Sequence, residues 1–590
     1  MATVSSSITG VIIASLTKTG QHQQMAVNRL AAIQALIDSL KDRYPEKGFL
    51  VNPNIRFCAA VDDDNDGGIG MRAEQKIGKD DILLVIPQAV RFSTENIMNT
   101  KELKKIAKTI ETKCAYLGVD QMVGPEEFSL TMTTMYILSK KQNNNNNSTT
   151  DPFVLQAATW PSQDDMKVSS MFYWDDSKIK QIWNQSFLTT NFVRRRDNLR
   201  DVFERVIFPT LKNVANRFTD NSLSNDSSSK EEEPCGQSER DSLWDTFLYA
   251  FSIVWSRAHG SDTTPELLPL VELLNGGSER ICRSEKPGKL VDKPPINVDM
   301  AGGMWPFLRG RMYADECNLP CAAVYASREI EKGEALIISY GDISPLDFVI
   351  KYGALPMECL RHHDIQTEVT LWFDPSLIST NDPMRLKCLE RSEYPAAKFK
   401  SNEYSICELL RAEELDNYMN GHEPERIMCL RQVLILSMLA GEEELQRNYT
   451  TGRLRGGLYT SQVLPLMCQV VDYNIEKLAP GTNATSAEDV EYANKPGTAT
   501  WEKVAFLLRA AYRESLLRWR HAIARQGIAS HVDVKLGSSA PNPCLADGGC
   551  AVCGRSYPCL RCVRCKQIKY CSRSHQRQDW KQHKHQCTTT

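Results

Sequence analysis

Eight potential metal ligands crowd the C-terminal end of the chain. Cys550 and Cys553 form one CxxC pair, and Cys562 and Cys565 form a second. Cys571 and His575 stand one helical turn apart, and His583 and Cys587 repeat that spacing. Thiolates and imidazoles grouped in four pairs are what two tetrahedral zinc ions require. Cys559 leaves a rival register open, because Cys559 and Cys562 also make a CxxC. A segment this short buries too little apolar surface to fold alone, so metal would supply its folding energy. The bland alternative is a reduced cysteine-rich tail without metal.

The stretch CAVCGRSYPCLRCVRCKQIKYCSRSHQRQDWKQHKHQC, from Cys550 to Cys587, resembles a MYND zinc finger. The resemblance implies interleaved ligands. Cys550, Cys553, Cys571 and His575 would hold one Zn2+, and Cys562, Cys565, His583 and Cys587 the other. Pairing Cys562 with Cys565 aligns CKQIKYCS with the family. His575 stands where the family usually has cysteine; imidazole still coordinates zinc and leaves the site with less negative charge. MYND modules are peptide-binding adaptors, so this end implies a peptide partner.

Four segments in the middle of the chain, taken in order, resemble a SET-domain methyltransferase. They are GGIGMRA from Gly67, SRAH from Ser256, LLPLVELLNG from Leu267, and EIEKGEALIISYGDISPLDFVIKYGALP from Glu329. They match the branch that includes the RuBisCO large-subunit lysine methyltransferase and the actin histidine methyltransferase. FVLQAATWPSQDD and MFYWDDSKIKQIW, around Trp160 and Trp174, resemble the helical insertion that splits the SET fold there. The cofactor implied is S-adenosyl-L-methionine, and the partner a protein with a lysine or histidine acceptor. Gly68, Ile69 and Gly70 would line the cofactor, the glycines admitting it close to the backbone. Arg257 would hold its carboxylate through a charge-assisted bond. Asn275 and Gly276 would bind the methionine portion, and Tyr352 would pack nearby. Tyr340 would be the catalytic residue, orienting a neutral nucleophile for an in-line displacement driven by positioning and electrostatics.

Each of these residues also has an ordinary reading. Gly68 and Gly70 fit a turn after the acidic run Asp62–Asp66. Arg257 fits a cation at a helix C-terminus, Tyr340 a strand residue with a satisfied hydroxyl, and Glu272 a solvated carboxylate. Three positions depart from the family: Gly276 follows Asn275 where histidine is usual, Pro345 follows Ser344, and Ala354 replaces an aromatic. Two function classes follow. One is a protein methyltransferase of a non-histone protein, with a recruiting zinc finger. The other is a catalytically inactive SET scaffold that binds partners through its helical and MYND parts.

The elements that must position these residues fit a chain of 590 residues with several domains. The expected class is α+β: a SET β-fold with a helical insertion, an all-α substrate-binding-like domain and a small two-zinc module. The expected boundaries are a tail and helix at 1–48 and a SET domain at 49–360 with its insertion at about 94–240. Within the insertion, disorder is expected at 142–151 and 220–240, from an asparagine run and a Ser/Asn/Glu-rich stretch. A helical domain at 361–526, a linker at 527–549 and the finger at 550–587 follow.

Ile82–Pro87 reads as a buried strand ended by proline, and Ser242–His259 as a helix with Leu243, Phe247, Phe251 and Val254 on one face. Met25–Lys41 reads as a helix. Ala322–Ser327 and Ala335–Tyr340 read as strands joined in a hairpin by Glu331-Lys332-Gly333. Arg426–Ala440 places Ile427, Leu430, Leu434 and Met438 on one helical face. Trp501–Arg525 is a longer helix, with Arg518, Arg520 and Arg525 suiting the dipole at its end.

A net charge of −3 gives no electrostatic case for nucleic acid. A finger with interleaved ligands also lacks the reading helix of C2H2 fingers. No apolar run is long enough to cross a bilayer, so no membrane partner is expected. The 19 cysteines fall into a zinc-like cluster and a scatter without pairing rhythm, which argues for a reducing compartment. Cytoplasm and nucleus both fit. A plastid address stays open, because no acidic residue precedes Asp38.

Overall fold

The computed structural model describes residues 5–44, 49–59, 69–98, 100–117, 123–143, 151–212, 237–259, 265–277, 296–302, 321–341, 343–355, 367–372, 382–391, 405–410, 414–415, 418, 425–454, 460–478 and 485–529; in the finger it describes 560–562, 564–565, 568–570, 576–577, 580, 583–584 and 587. Backbone contacts divide the chain into two units. The first comprises Met1–Tyr173 and Arg195–Ile343, the second Trp174–Arg194 and Ser344–Thr590.

The first unit is built on a six-stranded sheet. Its strands are β1 (Leu50–Val51), β4 (Ile82–Pro87), β5 (Asn275–Gly277), β6 (Val298–Gly302), β7 (Cys321–Ala326) and β8 (Ile337–Ser339), in the order β1-β4-β7-β6-β8-β5. A separate antiparallel pair joins β2 (Ile55–Ala59) to β3 (Ile69–Ala73). As its apolar run predicts, β4 is buried along nearly its whole length: Leu83, Leu84 and Ile86 have no exposed surface. The N-terminal helix Ser5–Arg43 packs Ile33, Leu36, Ile37 and Leu40 into the same core, a helical stripe repeating at three and four residues. The helix Gln237–Arg257 buries Leu243, Phe247, Phe251 and Val254, the face expected for it.

The expected hairpin between β7 and β8 does not form. β6 lies between them, antiparallel to β7 and parallel to β8. The chain after β7 crosses instead to β3: Ile330 bridges Ile77, Ala335 bridges Arg72, and Gly333 turns with φ +83°. Asn297, fully buried, closes the gap this leaves at the start of β8. Its Oδ1 accepts from Ile337 N at 2.8 Å and its Nδ2 donates to Ala335 O at 2.8 Å. A side chain thus supplies ladder bonds that a hairpin partner would have made.

The expected disordered pieces are shorter than drawn where they are described. The helix Pro125–Asn143 runs into the first piece, and Asp151 caps the helix Pro152–Thr159 that follows. Gln237–Arg240 already belongs to a helix. The rest of both pieces, and the linker from 530 to 549, lie outside the described residues.

Among its described residues the second unit is helical apart from two antiparallel pairs, β9 (Val369–Trp372) with β10 (Ser405–Leu410) and, in the finger, β11 (Leu560–Arg561) with β12 (Lys569–Tyr570). Its long helix is Thr500–Ala529. Arg518 and Arg520 are buried rather than placed at the helix end, and Arg520 pairs with Asp472. The helix Glu425–Leu434 buries Ile427, Leu430 and Leu434 as expected, whereas Met438 is 38% exposed. The cause is a π-turn over Ile435–Leu439, closed by Ala440 N to Ile435 O. One extra residue in the turn rotates Met438 off the buried stripe.

Candidate functional site

The parallel pairing of β5 with β8 sets Asn275 against Ile337 and Gly276 against Ile338. Tyr340 comes one residue after β8 ends. Gly341, just beyond it, adopts φ +86°, and its N–H donates to Ser339 Oγ at 3.0 Å. The half-buried Tyr340 ring folds back along β5, and its hydroxyl donates to Leu274 O at 3.3 Å. A β-carbon at Gly276 would stand 2.0–2.3 Å from three ring carbons of Tyr340. A β-carbon at Gly70 would stand 2.9 Å from Asn275 Nδ2. Gly70, Asn275, Gly276 and Tyr340 are therefore brought together. The faces opened by the two glycines hold the side chains of Asn275 and Tyr340. Ile69 buries its side chain in the core, and Gly68 lies outside the described residues.

Arg257 ends its helix, as its ordinary reading supposed, and its charge is felt at Tyr340. Its Nη1 donates to Ser256 Oγ at 2.8 Å, and its Nε is buried without a partner. Burial raises the Tyr340 phenol above its ordinary pKa, and the charge of Arg257 partly offsets this.

Glu272 is not a solvated carboxylate. It is only 8% exposed and accepts through Oε1 from Gln156 Nε2 at 3.1 Å and from Trp160 Nε1 at 3.0 Å. Its Oε2 is buried without a partner. Burial pushes its carboxyl up to about 7, against the opposing pull of Arg257, the two hydrogen bonds and Arg29. Arg29, on the N-terminal helix, donates to Thr159 O at 3.0 Å; burial and the charge of Arg257 lower it to about 10.

Sequence reasoning missed Arg29, Gln156, Trp160 and Asn297 as members of this framework. The one available signal was at Glu272 itself: a lone carboxylate inside an apolar run is more often buried and bonded than that run's surface reading suggests.

In the finger, Cys562, Cys565, His583 and Cys587 are all buried, and their ligand atoms lie within 4.8 Å of one another. His583 Nε2 is 3.3 Å from Cys562 Sγ and 3.5 Å from Cys565 Sγ, and Cys562 Sγ is 4.0 Å from Cys587 Sγ. A zinc tetrahedron with ordinary bond lengths has edges of roughly 3.6 Å (S to N) and 3.8 Å (S to S). The donor set fits zinc, and it uses Cys562 with Cys565 as expected. Cys550, Cys553, Cys559, Cys571 and His575 lie outside the described residues.

Comparison with solved structures settles the architecture. The SET domain of LSMT bound to lysine and AdoHcy superposes with a TM-score of 0.52 at 14% identity, covering 87% of this chain and 97% of that one. Rubisco LSMT bound to AdoMet gives 0.52 at 15% identity, with the same coverage. The fold is that of a SET domain. Residues 550–587 match the family model of the MYND finger. Over 52 residues, 46% are identical to Egl nine homolog 1 of Homo sapiens, and over 38 residues, 53% to that of Mus musculus. These matches span 12% and 10% of those two proteins and 9% and 6% of this chain. Among the described residues, no helix is long and apolar enough to cross a membrane.

Two departures from the SET pattern have local explanations. Ser344 caps the helix Pro345–Tyr352, accepting from Asp347 N, and Pro345 occupies its first turn, where a missing N–H costs nothing. That helix ends at Gly353 in the left-handed conformation, and Ala354 beyond it is exposed. The Tyr352 ring lies 4.8 Å from that of Phe348 on the same helix, tilted by 52°. All three belong to the second unit, whereas Tyr340 and Asn275 belong to the first.

Proposed function

We propose that the SET unit binds S-adenosylmethionine and transfers its methyl group to the side-chain amine of a lysine in a non-histone protein. The observation that carries this reading is the packing of Tyr340 and Asn275 beside Gly276 and Gly70 on one SET fold, with the charge of Arg257 felt at Tyr340. The residues fit the cofactor. Arg257 Nε is a buried donor lacking an acceptor, which a carboxylate would supply, and the Asn275 amide is exposed beside Gly70. When bound, the cofactor supplies a methyl on a sulfonium. The chain's own part is to place the nucleophile.

Tyr340 favours lysine over histidine. A hydroxyl has one proton to donate, and here it goes to Leu274 O. The oxygen is left able only to accept. A neutral lysine amine offers N–H groups to that oxygen while its lone pair faces the methyl. An attacking imidazole nitrogen carries no N–H to offer. Desolvation would lower the lysine pKa enough to yield the neutral amine.

We assign the MYND finger a peptide-binding role with two Zn2+, Cys550, Cys553, Cys571 and His575 completing the second site. Methyl-labelled cofactor incubated with lysine-containing and histidine-containing peptide libraries tests the activity. Label on lysine peptides, lost in Tyr340→Phe, is expected. Label on histidine peptides alone would overturn the acceptor assignment. No label with any library or cell extract would favour the inactive scaffold.

A further inference from the structure

Gly276 departs from the SET pattern and touches Tyr340, so the two positions bear on one another. The backbone of Gly276 is fixed by its pairing with Ile338. The ring of Tyr340 is held by the backbone of β8 just before it, by the left-handed Gly341 just after it and by its bond to Leu274 O. Between these constraints there is no room for a β-carbon, which would meet Cε2 at 2.0 Å, Cζ at 2.1 Å and Cδ2 at 2.3 Å. Ordinary carbon contacts lie at about 3.5–4.0 Å, so the ring would have to retreat by roughly 1.5 Å.

We propose that Gly276 is a positioning residue acting through Tyr340: its missing side chain is the seat that holds the phenol ring against β5 and its hydroxyl on the Leu274 carbonyl. The glycine is then a requirement of this arrangement, not a sign of decay in the site. Its consequence for methyl transfer rests on the function proposed above, because a displacement of about 1 Å in a positioning group can cost about 100-fold in rate. Gly70 provides a contrast. A β-carbon there meets only the amide end of Asn275, a flexible side chain that can turn away. Gly70→Ala should therefore leave the Tyr340 ring where it is.

The test uses the full chain with 3-fluorotyrosine at position 340, its phenol titration followed by fluorine NMR. In the parent the phenol should titrate above free fluorotyrosine, because the ring is buried against β5. Gly276→Ala should bring it back toward the free amino acid, and Gly70→Ala should not. Thermal melting supplies a second readout. Gly276→Ala should lower the melting temperature by several degrees when Tyr340 is present, and by little when Tyr340 is alanine. An unchanged phenol titration in Gly276→Ala, or an equal loss of melting temperature in both backgrounds, would overturn the proposal. S-adenosylhomocysteine binding by the parent is measured alongside. Its absence would count against the methyltransferase reading, while the titration and the melting would still decide the seat.

Discussion

Glu272 is buried where desolvation opposes its charge and two guanidinium groups favour it, with burial the stronger. The sign of its effect on stability follows from linkage. Its folded pKa, about 7, lies above the ordinary value of 4.5, so between the two the folded chain holds a proton that the unfolded chain has released. Its contribution is full below the unfolded value and is lost as pH rises through about 7. Comparing urea unfolding at about pH 5.5 and pH 8, the parent should lose roughly 2 kcal/mol more than Glu272→Gln across that interval. Equal losses would show that the carboxylate ionises freely in the fold. At this scale the sequence was informative about placement where motifs name residues, since the structure brings Tyr340 and Asn275 together. It was silent where a partner is remote. Gln156 and Trp160 reach Glu272 across 116 and 112 residues, and nothing local to either marks the contact.

The strands and helices were legible in proportion to how local their causes are. β4 follows from an apolar run and a proline, and the helix Gln237–Arg257 from its periodic face. The misread hairpin had a turn signal at Gly333, but β6 enters the sheet from elsewhere, and its sequence VDMAG has little strand character. Asn297 makes that insertion workable. Replacing it with alanine leaves the half-buried Ile337 N–H and Ala335 carbonyl without their side-chain partner. The expected loss is about 3 kcal/mol by chemical denaturation, with faster amide exchange at Ile337. A loss below about 1 kcal/mol would mean that water or a shifted backbone replaces the side chain. At the start of the helix Pro345–Tyr352, Ser344→Ala should cost about 1 kcal/mol through loss of the cap, and Ser344→Asp should restore most of it.

For the whole molecule, the order of segments announced a SET fold followed by a zinc finger, and both are present. The division at Ile343 and Ser344 was not legible, nor was the grouping of Trp174–Arg194 with the second unit. That grouping depends on contacts such as Trp183 Nε1 to Ala505 O at 2.8 Å, across 322 residues. Zinc tests the finger at this scale. Chelation should release two ions per chain and expose thiols to a disulfide reagent. Far-ultraviolet circular dichroism should barely change, because the described part of the finger contributes few helical residues. Release of one ion would leave Cys562, Cys565, His583 and Cys587 as the single site.

The central claim is that the SET unit still holds its cofactor despite Gly276. The most direct measurement is calorimetric titration of the full chain with S-adenosylmethionine, beside Asn275→Ala and Tyr340→Phe. The account predicts micromolar binding, abolished or weakened at least about tenfold in Asn275→Ala and retained in Tyr340→Phe, whose ring still fills the seat on Gly276. A folded chain that binds no cofactor at high protein concentration would contradict the account, and the molecule would then stand as a SET scaffold that binds partners.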